Sequence, residues 1–258
     1  EISCSLVGSE MCIRDRGGIM PRFFLEKMNP ELPVITGGDA RHIGFSLRMK
    51  PGERLTVCSE GVDYRCAVKR ITEDAVFLDI LEHTPCAAEP DINLTLYQAV
   101  PKLDKLELII QKSVELGAAE IVPVLTRRCV SRPSEKDFSK KLERLNKIAM
   151  GAAKQSGRGI VPRVMPLIGF KKAVAEMSES ECPVMLYEEG GIRFSELKVL
   201  GKSNFSLFIG SEGGFDAEEA DYARRAGINA VWLGNRILRC ETAPVTAISI
   251  LMYITKNL

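Results

Sequence analysis

The pattern of apolar and polar residues changes character once along the chain. From residue 20 to about 88 the period is two. In "ERLTVCSEGVDYRCAVKRI", Leu55 and Val57 alternate with polar neighbours, and Tyr64, Cys66 and Val68 do the same after the turn "EGVD". "AVFLDIL" continues with Val76, Leu78 and Ile80 on one face. Alternating runs parted by turn residues predict a small barrel. A short helix over "DARHIGFSLRM", capped by Asp39, is expected before these strands. "HTPCAAEPD", with two prolines and no periodicity, reads as a linker.

From about Asp91 strands and helices alternate. "INLTLYQAV", "EIVPVLT", "PVMLYE", "FSLFIG" and "AVWLG" read as strands. "LDKLELIIQKSVELG" reads as a helix with Leu103, Leu106, Ile110 and Val114 on one face and Gly117 as its stop. "DAEEADYARRAG" is a second helix, with Asp216 as its cap and Glu219 closing a capping box. "PVTAISILMYITKN" is the last, with Pro244 suited to its first turn. The fold class is therefore α/β with a largely parallel sheet, preceded by a smaller β unit.

The 258 residues carry a net charge of +1, so the molecule as a whole is no polycation. No apolar run reaches the ~18 residues of a membrane span. Eight cysteines at scattered spacings, with no C-x-x-C pair, argue against zinc and for reduced thiols in a cytosolic protein. Two histidines, His42 and His83, leave little for a metal site or a triad. Residues 1–19 look foreign to the rest, and a chain starting at Met20 is expected, the preceding segment being an added or mis-assigned extension.

Charge is unevenly placed. Residues 127 to 172 hold thirteen Lys/Arg against three Asp/Glu. Within "FSKKLERLNKIAMGAAKQSG", Leu142, Leu145, Ala149 and Ala152 can face a core, while Lys140, Arg144, Lys147 and Lys154 form another stripe. Such a stripe is either a solvated helix face or a phosphate-binding surface.

The chemistry concentrates near the C-terminus. "FIGSEGGF" joins a strand to a helix through a glycine loop, which bares backbone and a helix N-terminus to a ligand. No P-loop lysine follows it, and G-x-x-G-G is not the G-x-G-x-x-G of a dinucleotide fold. "LYEEGG" and "LGNRILRCETA" likewise follow strands. Three strand ends with glycine or acidic loops mark the edge at which open α/β sheets bind ligands.

"IGSEGGF" followed by "LGNRILRCETA" resembles the signature of the SPOUT methyltransferases, and within them of the RsmE family. "MPRFFLE", "QKSVELGAAEIVPVLTRR" and "AAKQSGR" resemble that family too, so the likeness spans Met20 to Leu258. Ser211 stands where the family usually has proline, and Cys240 where it usually has threonine. The resemblance implies S-adenosylmethionine-dependent methylation of N3 of one uridine in 16S ribosomal RNA, with assembled small subunits as substrate. It implies a PUA-like RNA-binding barrel over 20–88 and a SPOUT domain with a deep trefoil knot over 91–258. A homodimer is implied, and no metal. Alternatives are a SPOUT enzyme on another RNA, such as a transfer RNA 2′-O-methyltransferase, a non-catalytic RNA-binding module, or an unrelated nucleotide-binding oxidoreductase.

The same resemblance implies the site. Gly210, Gly213 and Gly214 would approach the adenosine, Leu186, Tyr187 and Glu188 would form a second wall, and Leu233, Gly234, Ile237, Leu238 and Arg239 a third. Glu212, Glu241 and Arg236 are the catalytic candidates, Glu212 serving as catalyst or as loop brace. Arg22, Arg127, Arg128, Arg132, Lys154, Gln155 and Arg158 are the expected RNA contacts.

Overall fold

The computed structural model describes residues 20–102 and 105–258. The expected extension at 1–19 and the helix position Leu103 lie outside the described residues. Two compact units part between Pro85 and Cys86.

The first unit orders β1 (Arg22–Phe24), β2 (Val34–Thr36), α1 (Gly37–Arg41), β3 (Arg54–Ser59), β4 (Val62–Ile71) and β5 (Ala75–Pro85). They form one mixed sheet, β1-β3-β4-β5-β2, with β1 parallel to β3 and the other pairs antiparallel. β3 and β4 are joined by Glu60 and Gly61 at φ 51° and 78°, the primed two-residue turn whose twist matches a hairpin. Register shifts at Arg65/Cys66 and Val68/Arg70 bend the long β4–β5 ribbon. Its inner face buries Leu55, Val57, Cys66, Val68, Val76 and Leu78 against Phe23, Ile35 and Ile43.

Two expectations change here. Asp39 is not the helix cap: the chain leaves β2 extended at Thr36 and turns at Gly37, so Asp39 sits in the first turn of α1. There its carboxylate still meets the positive helix end. The expected linker begins as strand, because His83 and Thr84 pair with Tyr64 and Asp63. The His83 ring stacks on Tyr64 at 5.7 Å. A long partner strand overrides the lack of periodicity.

The second unit contains β6 (Asn93–Ala99), α2 (Lys105–Glu115), β7 (Glu120–Leu125), α3 (Glu135–Ser156), β8 (Arg163–Val164), β9 (Ile168–Gly169), α4 (Phe170–Ser178), β10 (Cys182–Leu186), β11 (Ile192–Arg193), β12 (Asn204–Ile209), α5 (Ala217–Arg225), β13 (Asn229–Trp232) and α6 (Thr242–Ile254). The strands make one parallel sheet, β11-β13-β10-β12-β6-β7-β8, with β9 also on β7. Its central strands are buried almost throughout, as parallel strands covered on both faces must be. Helices α4 and α5 cover one face through Val174, Met177, Ala220 and Ala223 against Tyr97, Met185 and Phe208. Register aligns Leu186 with Val231 and Ile209 with Gln98, so four strands end abreast. The order reverses between β12 and β6, which makes this edge a topological switch point.

Arg158 corrects another expectation. It is 3 % exposed, and its guanidinium donates to both carboxylate oxygens of Glu89 at 2.8 Å and to the carbonyls of Val114 and Ala118 at 3.0 Å. It is an internal pin, not an RNA contact. Arg158→Met should destabilise the fold by about 1–3 kcal/mol in urea, because Glu89 loses its two-pronged partner and keeps only the Gly159 and Ile160 N–H donors; an unchanged midpoint would restore the surface reading.

Among the described residues, Cys58, Cys66, Cys86, Cys129, Cys182 and Cys240 are all buried free thiols. Among the described residues no helix is long and apolar enough to cross a membrane, and no three His, Cys, Asp or Glu side chains gather as a metal site would need.

Candidate active site

The three loops that follow β10, β12 and β13 enclose a cavity of about 510 Å³. Leu186, Tyr187 and Glu188 form one wall, Gly210, Gly213 and Gly214 a second, and Leu233, Gly234, Ile237, Leu238 and Arg239 a third. All eleven residues expected around the adenosine therefore line one space. Glu212 and Arg236 line it as well, whereas Glu241 stands just behind, joined to a lining residue.

The glycine loop is shaped first by its own closure. Ser211 and Gly214 bridge each other, the Gly214 N–H donating to Ser211 O at 2.9 Å. A Cβ on Gly210 would lie 3.0 Å from the Gly214 backbone. Gly214 itself sits at φ 66°, where a side chain would run into the Glu188 carboxylate across the cavity corner. Below the loop, Asp216 and Glu219 form the expected capping box: Asp216 Oδ1 accepts from Glu218 N–H and Glu219 Oε2 from Asp216 N–H.

The residue that sequence reasoning missed is Lys105. Its ammonium lies 3.1 Å from Glu241 and 3.5 Å from Glu212, with Cys240 Sγ at 3.9 Å, and it lines the cavity. Glu212 Oε1 also accepts the Lys102 N–H at 3.0 Å. Burial pushes both carboxyls up, yet the backbone donors and Lys105 outweigh it and hold both below the ordinary range. The Glu241 hydrogen bond in turn raises Lys105. Burial, with the adjoining Glu241, pushes the Cys240 thiol up to about 12, so it stays neutral. One signal pointed to Lys105: a lysine in the first turn of a helix faces the positive end of the dipole and calls for a local anion.

The expected RNA contacts are mostly engaged elsewhere. Arg127 pairs with Asp216 and Glu218, and its N–H donates to Glu219. Arg128 donates to Gly213 O and accepts the Ser211 hydroxyl on its carbonyl, so it staples the glycine loop. Arg132 donates to Thr126 O. Arg22 makes a two-pronged pair with Asp63 at 2.8 Å. On α3, Lys140, Arg144 and Lys147 pair with Asp137, Glu107 and Glu143. Lys154 and Gln155 lie in its last turn. Arg236 and Arg239, by contrast, are exposed at the cavity and make no ion pair with described residues.

A model of an RNA methyltransferase domain matches residues 88–252, and one of an RNA methyltransferase PUA domain matches 35–81. The ribosomal RNA small subunit methyltransferase E of Bacillus subtilis is 36 % identical over 93 % of this chain and 98 % of its own. That of Aquifex aeolicus is 29 % identical over 89 % and 98 %. The crystal structure of the Neisseria gonorrhoeae ribosomal RNA small subunit methyltransferase E, bound to S-adenosyl methionine, superposes with a TM-score of 0.81 at 31 % identity. That match covers 91 % of this chain and 98 % of that one.

Proposed function

The chain belongs to the RsmE family of RNA methyltransferases, and from that premise we propose that it methylates N3 of one uridine in the 16S RNA of the small ribosomal subunit. The methyl donor is S-adenosylmethionine. The observation that carries the reading is the single cavity built from three strand-end loops, with a lysine held between two carboxylates at its edge.

The cavity fits the donor. Its volume lies within the roughly 300–1,000 Å³ of small-molecule sites. Leu186, Ile209, Val231 and Leu238 offer an apolar slot for a purine. Gly214 leaves open a corner that any Cβ would fill. The donor supplies an electrophilic methyl group on a sulfonium, and its departure leaves a neutral thioether.

The chain's own residues deal with the uracil. N3 carries a proton that must leave, and negative charge then spreads to the ring carbonyl oxygens. A carboxylate held at depressed pKa is a poor proton acceptor, so Glu212 and Glu241 act by holding Lys105 charged and in place. The proton passes to water. Lys105, held by Glu212 and Glu241, is a fixed positive group of the kind that lowers such barriers most, and Arg236 and Arg239 add exposed positive charge at the cavity.

The same reading carries the finer expectations: RNA binding by residues 20–88, catalysis by 91–258, a deep trefoil knot, a homodimer and a cytoplasmic setting. Ile237 in the cavity wall and Tyr253 on α6, 86 % and 72 % exposed, offer apolar surface that supports pairing with a second copy. Equilibrium dialysis should find one S-adenosylmethionine per chain, displaced by S-adenosylhomocysteine; absence of binding would remove the proposal.

A further inference from the structure

The first unit carries basic side chains that make no ion pair with described residues. Beyond α1 the chain widens into a π turn over His42–Ser46, the Leu47 N–H reaching His42 O at 2.9 Å. Such turns are rare and gather at functional positions. Ala40, Ile43 and Met49 point into the core, while Arg41, Phe45 and Arg48 are exposed. Arg41 and Phe45 are four apart across this turn, and Arg48 follows just beyond its end. Phe45 is 68 % exposed. Arg48 holds a left-handed backbone at φ 51°, a strained choice for arginine. No acid interrupts residues 40–50, and Arg41, Arg48 and Lys50 make no ion pair with described residues. The contrast with Arg127, Arg128, Arg132 and Arg158, each engaged by the protein, is direct.

We propose that Arg41, Phe45 and Arg48 form a single-stranded RNA contact, an unpaired base stacking on the Phe45 ring while the flanking guanidiniums bind its phosphates. The occupant follows from the chemistry. An exposed ring flanked by unpaired cations suits a base with a phosphate on either side. This inference rests on the reading of the chain as an RNA methyltransferase and names where the first unit grips RNA.

The test uses the full chain and fluorescein-labelled oligouridine, followed by anisotropy at several salt concentrations. Phe45→Ala should weaken binding about tenfold, and Phe45→Leu should do the same, because it keeps apolar area but loses the stacking face. Phe45→Trp should bind within about twofold of the unaltered chain. Arg48→Gly, which suits the left-handed backbone, should lower the salt slope by roughly 0.7. Thermal melts and S-adenosylmethionine dialysis on the same samples should be unchanged; failure of dialysis in the unaltered chain would instead fault the underlying reading. The proposal is overturned if Phe45→Ala or Arg48→Gly binds as the unaltered chain does, if Phe45→Leu retains full affinity, or if the unaltered chain does not bind the oligonucleotide. It is equally overturned if only docking to assembled subunits is lost while oligouridine binding persists, which would make the patch a protein contact.

Discussion

Lys105→Met is expected to lower turnover by about 10²–10³-fold, the effect of removing one fixed positive group from a developing anion. S-adenosylmethionine affinity should change far less, since the ammonium is bound to Glu241 and Glu212 rather than to the slot that would take the purine. Lys105→Arg should recover part of the loss. A pH measurement checks the ion pairs themselves. Glu212 and Glu241 are held below their ordinary value of 4.5. A depressed pKa contributes stability that is present above the unfolded value and lost as pH falls through the folded one. Removing Lys105 takes away part of that depression. The acid loss of stability should therefore move to higher pH in Lys105→Met. Unchanged turnover would remove Lys105 from the reaction.

Gly214→Val is expected to weaken S-adenosylmethionine binding on the order of a hundredfold while the chain stays folded. An L-residue at φ 66° costs roughly 1–2 kcal/mol, and a β-branched one more. The new side chain also displaces the Glu188 carboxylate and fills the corner of the cavity. Gly157 supplies the control. It has a similar φ of 76° with nothing within 4 Å and lies at the end of α3, away from the cavity. Gly157→Ala should lower stability slightly and leave binding intact. Equal binding by Gly214→Val and the unaltered chain would show that the glycine loop does not face the ligand.

What was legible in the sequence was whatever depends on neighbours in the chain. Period-two runs located β3, β4 and β5, and strand–glycine–helix patterns located the loops after β12 and β13. Asp216 and Glu219 could be read as a capping box because the whole motif spans four residues. Interactions across long separations were not legible. Lys105 meets Glu212 and Glu241 only after β6 and β12 become neighbours in the sheet. Arg158 resembled a surface cation until Glu89, 69 residues earlier, folded onto it. The basic segment was read as a surplus of charge, yet Asp216, Glu218 and Glu107 from other elements meet two of its arginines, Arg127 and Arg144. Arg41 and Arg48 drew no attention because they belong to no charge run, and only the fold shows them exposed beside Phe45.

The most direct test is to incubate the purified chain with methyl-labelled S-adenosylmethionine and small ribosomal subunits lacking native methylation, then digest the RNA and identify the labelled nucleoside by mass spectrometry. The account predicts label in 3-methyluridine from 16S RNA, in the unaltered chain and not in Lys105→Met over the same interval. Label in a 2′-O-methylated nucleoside, or in no nucleoside while the donor remains bound, would contradict it.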